Sequence, residues 1–201
     1  MALYLVTGGT GFIGTYVVEE LVQRGESVRV LDNLSTGHEA NLAAVQGIID
    51  FRRADIRDLE AVRPLFVGAD YVIHLAAVAS VARSIENPVE TTLVNLNGTL
   101  HLLLAARDAG ARLVVIAATA TAYGDAPTLP RVEMQLPQPL SPYALTKLAD
   151  ECYGQIFVAF LGWRLSRCAT STFTDRGKIP ILLIPACFPY SLLPTLAGRL
   201  P

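Results

Sequence analysis

The chain has 201 residues, 52% of them hydrophobic and 17% charged, with a formal net charge of −2. That length suits one compact α/β unit and leaves no room for a large substrate lobe as well, while so small a charge excludes a field that would gather nucleic acid or an anionic bilayer. The three cysteines, Cys152, Cys168 and Cys187, lack metal-ligand spacing and are odd in number, which argues against a disulfide scaffold and a metal site and for a reducing compartment.

The N-terminus carries no basic leader, so a cytoplasmic location is expected. Residues 3–7 read as a strand, and 12–23 as a helix with Ile13, Val17 and Leu21 on one face. A second strand is predicted over 27–31, a short helix near 38–46, a third strand over 48–53 and a helix that Asp58 caps. The fourth strand is predicted over 70–75, then a long helix over 86–108, irregular at its start because Pro88 is tolerated only in a first turn. The fifth strand is placed at 111–118, and the last helix runs from Ser141 or Pro142 to about Phe160. This alternation implies right-handed βαβ crossovers and a Rossmann-type doubly wound parallel sheet. A later apolar run over 179–194 contains four prolines and is too short and too broken for a membrane span.

Chemistry enters at "TGGTGFIG", which sets Gly8, Gly11 and Gly14 between a strand and a helix. Gly8 permits the tight turn, Gly11 lets the backbone approach a pyrophosphate, and Gly14 removes a side chain where helix meets strand. Asp32, at the end of the second strand, is placed to accept the ribose hydroxyls of a dinucleotide and would repel the extra phosphate of NADP, which favours NAD. Arg29 is a complication, since it lies close in sequence. Asp55 with Ile56 either flanks adenine or caps a turn. His74 reads as a satisfied structural residue beside Ala76 and Ala77, which are small walls next to a cofactor.

"SPYALTK" places Tyr143 and Lys147 on one helical face. A phenol is a poor base at neutral pH, and a neighbouring ammonium favours the phenolate; Lys147 can also reach a nicotinamide ribose. Thr119, at the carboxyl end of the fifth strand, presents a hydroxyl toward the ligand crevice, with Thr121 and Tyr123 nearby. Asn95, on the long helix, is positioned to satisfy backbone or cofactor amides.

Taken in order, "TGGTGFIG", "LDNLSTG", "DIRD", "HLAA", "NLNGT", "AATATAYG" and "SPYALTK" resemble the extended short-chain dehydrogenase/reductases, in their NAD-dependent epimerase/dehydratase group, and within it the UDP-glucose 4-epimerases and neighbouring UDP-sugar epimerases. The likeness covers residues 1–161. It implies that Gly8, Gly11, Phe12, Ile13 and Gly14 hold the pyrophosphate side, and that Asp32, Asn33, Ser35 and Gly37 hold the adenosine ribose. Asp55 and Ile56 would flank adenine, and Ala76, Ala77, Asn95, Tyr143 and Lys147 would line the nicotinamide half. Thr119, Tyr143 and Lys147 are the catalytic set that it implies, and the intact parent is expected to be a homodimer acting on a UDP-hexose with tightly held NAD. Ala117 and Ala118 stand where the family has serines. A dehydratase, decarboxylase or reductase on nucleotide sugars is the alternative enzyme; a dehydratase wants an acidic pair beside the active threonine, where this chain has Ala120 and Thr121.

The likeness stops after "FLG". The family continues with a sixth strand of the form "LEAVALRYFNVYGPRQDP", and this chain has "WRLSRCATSTFTDRGKIP". Codons allowed for residues 163–180, read one base back with the C that can end the Gly162 codon, spell "LEAVALRYFNVHGPRQDP". Residues 162–201 are therefore expected to be out-of-frame translation after loss of one base, with no reliable fold, leaving the sheet incomplete and the substrate lobe absent. With the edge of the fifth strand uncovered, the chain is expected to be inactive and a poor NAD binder; a non-catalytic NAD-binding fragment is the competing expectation.

Overall fold

A computed structural model describes residues 1–125, 132, 134–161 and 165–170. Its strands are β1 (Leu3–Thr7), β2 (Ser27–Asp32), β3 (Asp50–Arg53), β4 (Tyr71–His74), β5 (Leu113–Thr119) and β6 (Leu165–Thr170). All pair in parallel in the order β3-β2-β1-β4-β5-β6. The helices are α1 (Phe12–Gln23), α2 (Leu59–Val62), α3 (Val81–Glu86), α4 (Pro88–Thr92), α5 (Gly98–Asp108) and α6 (Pro142–Leu161). The doubly wound α/β arrangement is as the residue pattern predicts.

Both faces of the sheet are covered, which is why its strands are near-continuous apolar runs. Val6, Val28 and Val30 pack with Val18 and Leu21 of α1 on one face. Leu5, Leu31, Val72, Val114 and Ile116 pack on the other with Phe66, Leu102, Leu103 and Phe157. Alternate residues of a strand point to opposite faces, so neighbours such as Leu5 and Val6 enter different cores.

Two expected elements change form. The helix near 38–46 is a 3₁₀ turn, Glu39–Val45. The long helix is preceded by the separate α3 and is itself broken: Asn87 caps α4 by accepting from Glu90 N–H at 3.1 Å, directly before Pro88 at the helix start, where a missing N–H costs nothing. A π-helical turn, Leu93–Asn97, then joins α4 to α5.

The edge of β5, expected to stand open, is covered. β6 lies along it with Leu165 opposite Val114 and Thr170 opposite Thr119. A parallel ladder is made of backbone N–H and C=O groups, so a segment of any composition free of proline can close it. Residues 162–164 and 171–201, to which the expectation of no reliable fold also applied, lie outside the described residues.

Candidate active site

The carboxyl ends of β1, β2, β4 and β5 lie along one side of the sheet. The turn after β1 closes on itself: Gly8 has φ +70°, and a Cβ there would lie 2.7 Å from the backbone N of Ala76. A Cβ on Gly14 would overlap the Gly8 carbonyl oxygen. Gly11 flanks α1, whose first turn has no side-chain cap and no acidic residue. Its unpaired amides and the positive end of the helix dipole are thus open to an anion. Phe12, 57% exposed, stacks edge-on against Tyr16 beside this opening, and Ile13 is half-buried.

Asp32 is buried and ties the turn to β2. Its Oδ2 accepts from Thr10 N–H at 3.1 Å and its Oδ1 from Leu34 N–H at 2.8 Å, with Leu34 in the left-handed region at φ 61°. Arg29 does not offset this carboxylate. Three residues back on the strand, it faces the other side of the sheet and donates to Asp50 Oδ2 at 2.7 Å and the Leu65 carbonyl at 2.7 Å. Asn33 donates to Asp55 Oδ2 at 3.0 Å and accepts from Ser35 N–H at 3.0 Å. Gly37 packs directly on Thr10, where a Cβ would overlap the Thr10 hydroxyl.

Asp55 organises its own turn. Arg57 donates through Nη2 at 2.7 Å to Oδ2 and through Nε at 2.9 Å to Oδ1, and these bonds hold the carboxyl well below the usual carboxylate range. Ile56 is a core residue whose side chain lies against Gly98. These contacts display the turn, and flanking of adenine by the pair is compatible with it.

A buried hydrogen-bond chain runs from the glycine turn to α6. Ala76 N–H donates to Thr7 Oγ1 at 3.3 Å, which lies 2.7 Å from His74 Nδ1. His74 Nε2 lies 2.9 Å from Thr99 Oγ1, and that hydroxyl donates to the Asn95 carbonyl. Because Thr99 has given its proton to Asn95, it must accept from His74, which assigns the proton to Nε2. Burial, assisted by the Lys147 charge, drives the His74 pKa down to about 3, so the ring is neutral. The side chain of Asn95 continues the chain: Oδ1 accepts from Val78 N–H at 2.7 Å, and Nδ2 donates to Thr146 Oγ1 at 3.1 Å. Thr146 then donates to the Tyr143 carbonyl at 2.9 Å. Asn95 thus holds the protein's own backbone, and Ala77, half-buried, lies between Ala76 and Val78 in the segment so anchored.

Thr119 ends β5, 6% exposed. It caps the turn Ala120–Tyr123 by accepting from Thr121 N–H at 3.2 Å, and its hydroxyl lies 2.9 Å from that of Thr121. No hydrogen bond joins it to Tyr143 among the described residues. Ser141 Oγ accepts from Ala144 N–H at 3.1 Å at the start of α6, which carries half-buried Tyr143 and buried Lys147 on adjoining turns. Lys147 Nζ donates to Asp150 Oδ2 at 2.9 Å.

The fold therefore gathers the glycine turn, Asp32, Asn33 and Asp55 into one bonded group and ties Asn95 to the helix of Tyr143 and Lys147. Sequence reasoning passed over Thr7, Thr10, Thr99, Thr146 and Asp150. Only Asp150 carried a local signal, standing three residues after Lys147.

The family model for the NAD dependent epimerase/dehydratase family matches residues 4–160. The UDP-glucose 4-epimerase of Streptomyces lividans is 42% identical over 149 residues, 73% of this chain and 44% of that one. Among solved structures, a UDP-glucose 4-epimerase from Thermotoga maritima with UDP-glucose superposes with TM-score 0.79 at 36% identity, over 83% of this chain and 54% of that chain. The dTDP-glucose 4,6-dehydratase DesIV of Streptomyces venezuelae, with NAD bound, superposes with TM-score 0.79 at 34% identity, over 83% and 55%. This chain spans about half the length of these relatives. A glycine turn with an open helix terminus, an acid at the end of β2, a tyrosine and lysine on α6 and a family match over nearly all of the first 161 residues converge: the chain belongs to the NAD dependent epimerase/dehydratase family.

Proposed function

We propose that residues 1–161 are the NAD-binding half of an enzyme that epimerises a UDP-hexose at C4, of the UDP-glucose/UDP-galactose type, and that residues 162–201 are an out-of-frame tail. The observation that carries this reading is the pairing of an uncapped α1 terminus with the buried carboxylate of Asp32. The donor set fits a dinucleotide: free amides without a competing acid suit the pyrophosphate, and the oxygens of Asp32 suit ribose hydroxyls.

Gly8, Gly11, Phe12, Ile13 and Gly14 would hold the pyrophosphate, with Asp32, Asn33 and Ser35 beside the adenosine ribose. Ala76, Ala77, Tyr143 and Lys147 would line the nicotinamide half, and Asn95 keeps that wall in place through Val78. NAD, when bound, supplies a hydride acceptor. Tyr143 takes the proton of the sugar C4 hydroxyl and Thr119 orients that hydroxyl, with Lys147 on the adjoining turn of α6. Thr119 accepts from Thr121 N–H, and when the Thr121 hydroxyl also donates to it the proton of Thr119 is left for the sugar. Ala120 and Thr121 after Thr119 favour epimerisation over dehydration, which wants acids there.

A frame-restored protein, assayed against UDP-glucose, UDP-galactose and UDP-glucuronate, tests the reading: interconversion of the first pair is expected, and no interconversion of any of them would sink it. The 201 residues as they stand are expected to turn over none of them, since they span about half the length of the relatives. They should still bind NAD saturably, because β6 covers the edge of β5 whose exposure was the reason to expect otherwise. Self-association is expected too: Val81, Ile85, Val89 and Leu93 are 40–68% exposed at every fourth position along α3, α4 and the π turn.

A further inference from the structure

Lys147 and Asp150 form an ion pair sealed from water, with side chains 3% and 0% exposed and 2.9 Å between Nζ and Oδ2. A buried carboxylate is tolerated when its lone pairs are met, yet Asp150 Oδ1 has no hydrogen-bond partner. One ammonium is therefore what keeps this carboxylate charged, and it is the ammonium assigned above to the cofactor. We propose that Asp150 is a positioning residue that holds Lys147 in the cofactor-free protein, and that it takes up a proton from solvent when the cofactor draws the ammonium away.

In that step the Nζ–H···Oδ2 bond breaks, an O–H bond forms on Asp150 with a proton from the buffer, and nothing is oxidised or reduced. Burial already raises the Asp150 pKa, opposed chiefly by Lys147. Losing Lys147 leaves burial to dominate, and a fully buried carboxylate is then neutralised. Among the described residues no other group takes over the pairing. His74 of β4, which senses Lys147, is neutral. Arg83 and Glu90, on the helices packed against α6, pair with each other at 3.7 Å near the surface. Glu86, Arg107 and Asp108 are exposed and His101 is half-buried against the Ile56 carbonyl. Glu151, buried on the next position of α6, is itself acidic and cannot replace the lysine.

The sign is fixed by mass action. If binding takes up a proton, affinity weakens as pH rises, by up to about tenfold per pH unit between the pKa of Asp150 in the free and the loaded protein.

The proposal rests on the reading of Lys147 as a cofactor ligand, and calorimetry separates the two. NAD is titrated into the full chain at one pH in buffers of different ionisation heat, whose slope counts protons exchanged. Uptake of up to about one proton is expected, absent in Asp150→Asn and in Asp150→Ser, which leaves room for a water beside the ammonium. No saturable binding would remove the NAD-binding reading and this one with it. Binding without proton uptake, or uptake retained in the variants, overturns the role of Asp150 alone. Loss of the fold in both variants assigns the carboxylate to core integrity and overturns the role too.

Discussion

At the scale of single residues, the site separates groups that hold from groups that react. In the frame-restored enzyme Tyr143→Phe removes one hydroxyl and keeps the ring, so NAD affinity should persist while turnover falls by roughly 10² or more; near-normal turnover would mean that the base is misassigned. Asp32→Ala should do the reverse, weakening NAD and sparing the chemical step. His74 belongs to the holding class. The unfolded chain binds a proton on this ring below about pH 6.5, the native one only near about 3, so the native state is disfavoured progressively as pH falls through that window. Stability should decline there by a few kcal/mol in order of magnitude, and His74→Gln should flatten the slope in urea melts taken at several pH values. An unchanged slope would place the titration elsewhere. The contrast with Asp55 is instructive: its depressed pKa makes it a stabiliser that is lost only as pH falls below the ordinary carboxylate range.

At the scale of elements, what was legible in the sequence is what depends on local pattern. The strands and the glycine turn follow from periodicity and from the sterics of Gly8 and Gly14, both encoded within a few residues. The break at Pro88 was foreseen in kind, though α3 was not, because Asn87 ends one helix while capping the next. The ties between Asn95 and Thr146, 51 residues apart, and between Thr7 and His74, 67 apart, have no local signature and exist only once the sheet is assembled. The exposed stripe on α3 and α4 belongs to this scale as well. Burying Ile85 and Val89, 63% and 68% exposed, against a second copy would contribute on the order of 1–3 kcal/mol per side chain. Ile85→Glu with Val89→Glu should therefore shift the sedimentation of the protein to that of a monomer and remove any dependence of its melting temperature on protein concentration; a wild-type chain that sediments as a monomer would refute the self-association.

At the scale of the whole molecule, topology and chemistry part company. Six parallel strands stand in an unbroken order, while the chain spans about half the length of its relatives. Sequencing the nucleotides around codon 162 should show the family's sixth strand one base out of register; a reading that does not encode it would overturn the frameshift and make Leu165–Thr170 a divergent strand in its own right. The hydrogen bonds of the core also act at this scale. One run has fixed backbone groups at both ends, the amide N–H of Ala76 and the carbonyl of Asn95, so the Thr7 and Thr99 hydroxyls and the His74 ring between them are polarised in one sense. A second run begins afresh at the Asn95 side-chain amide, passes through Thr146 and ends on the Tyr143 carbonyl. Neither run can reverse without stranding an end, and the two meet only through the covalent bonds of Asn95, so these links tie the glycine turn to α6 without forming a proton wire between them.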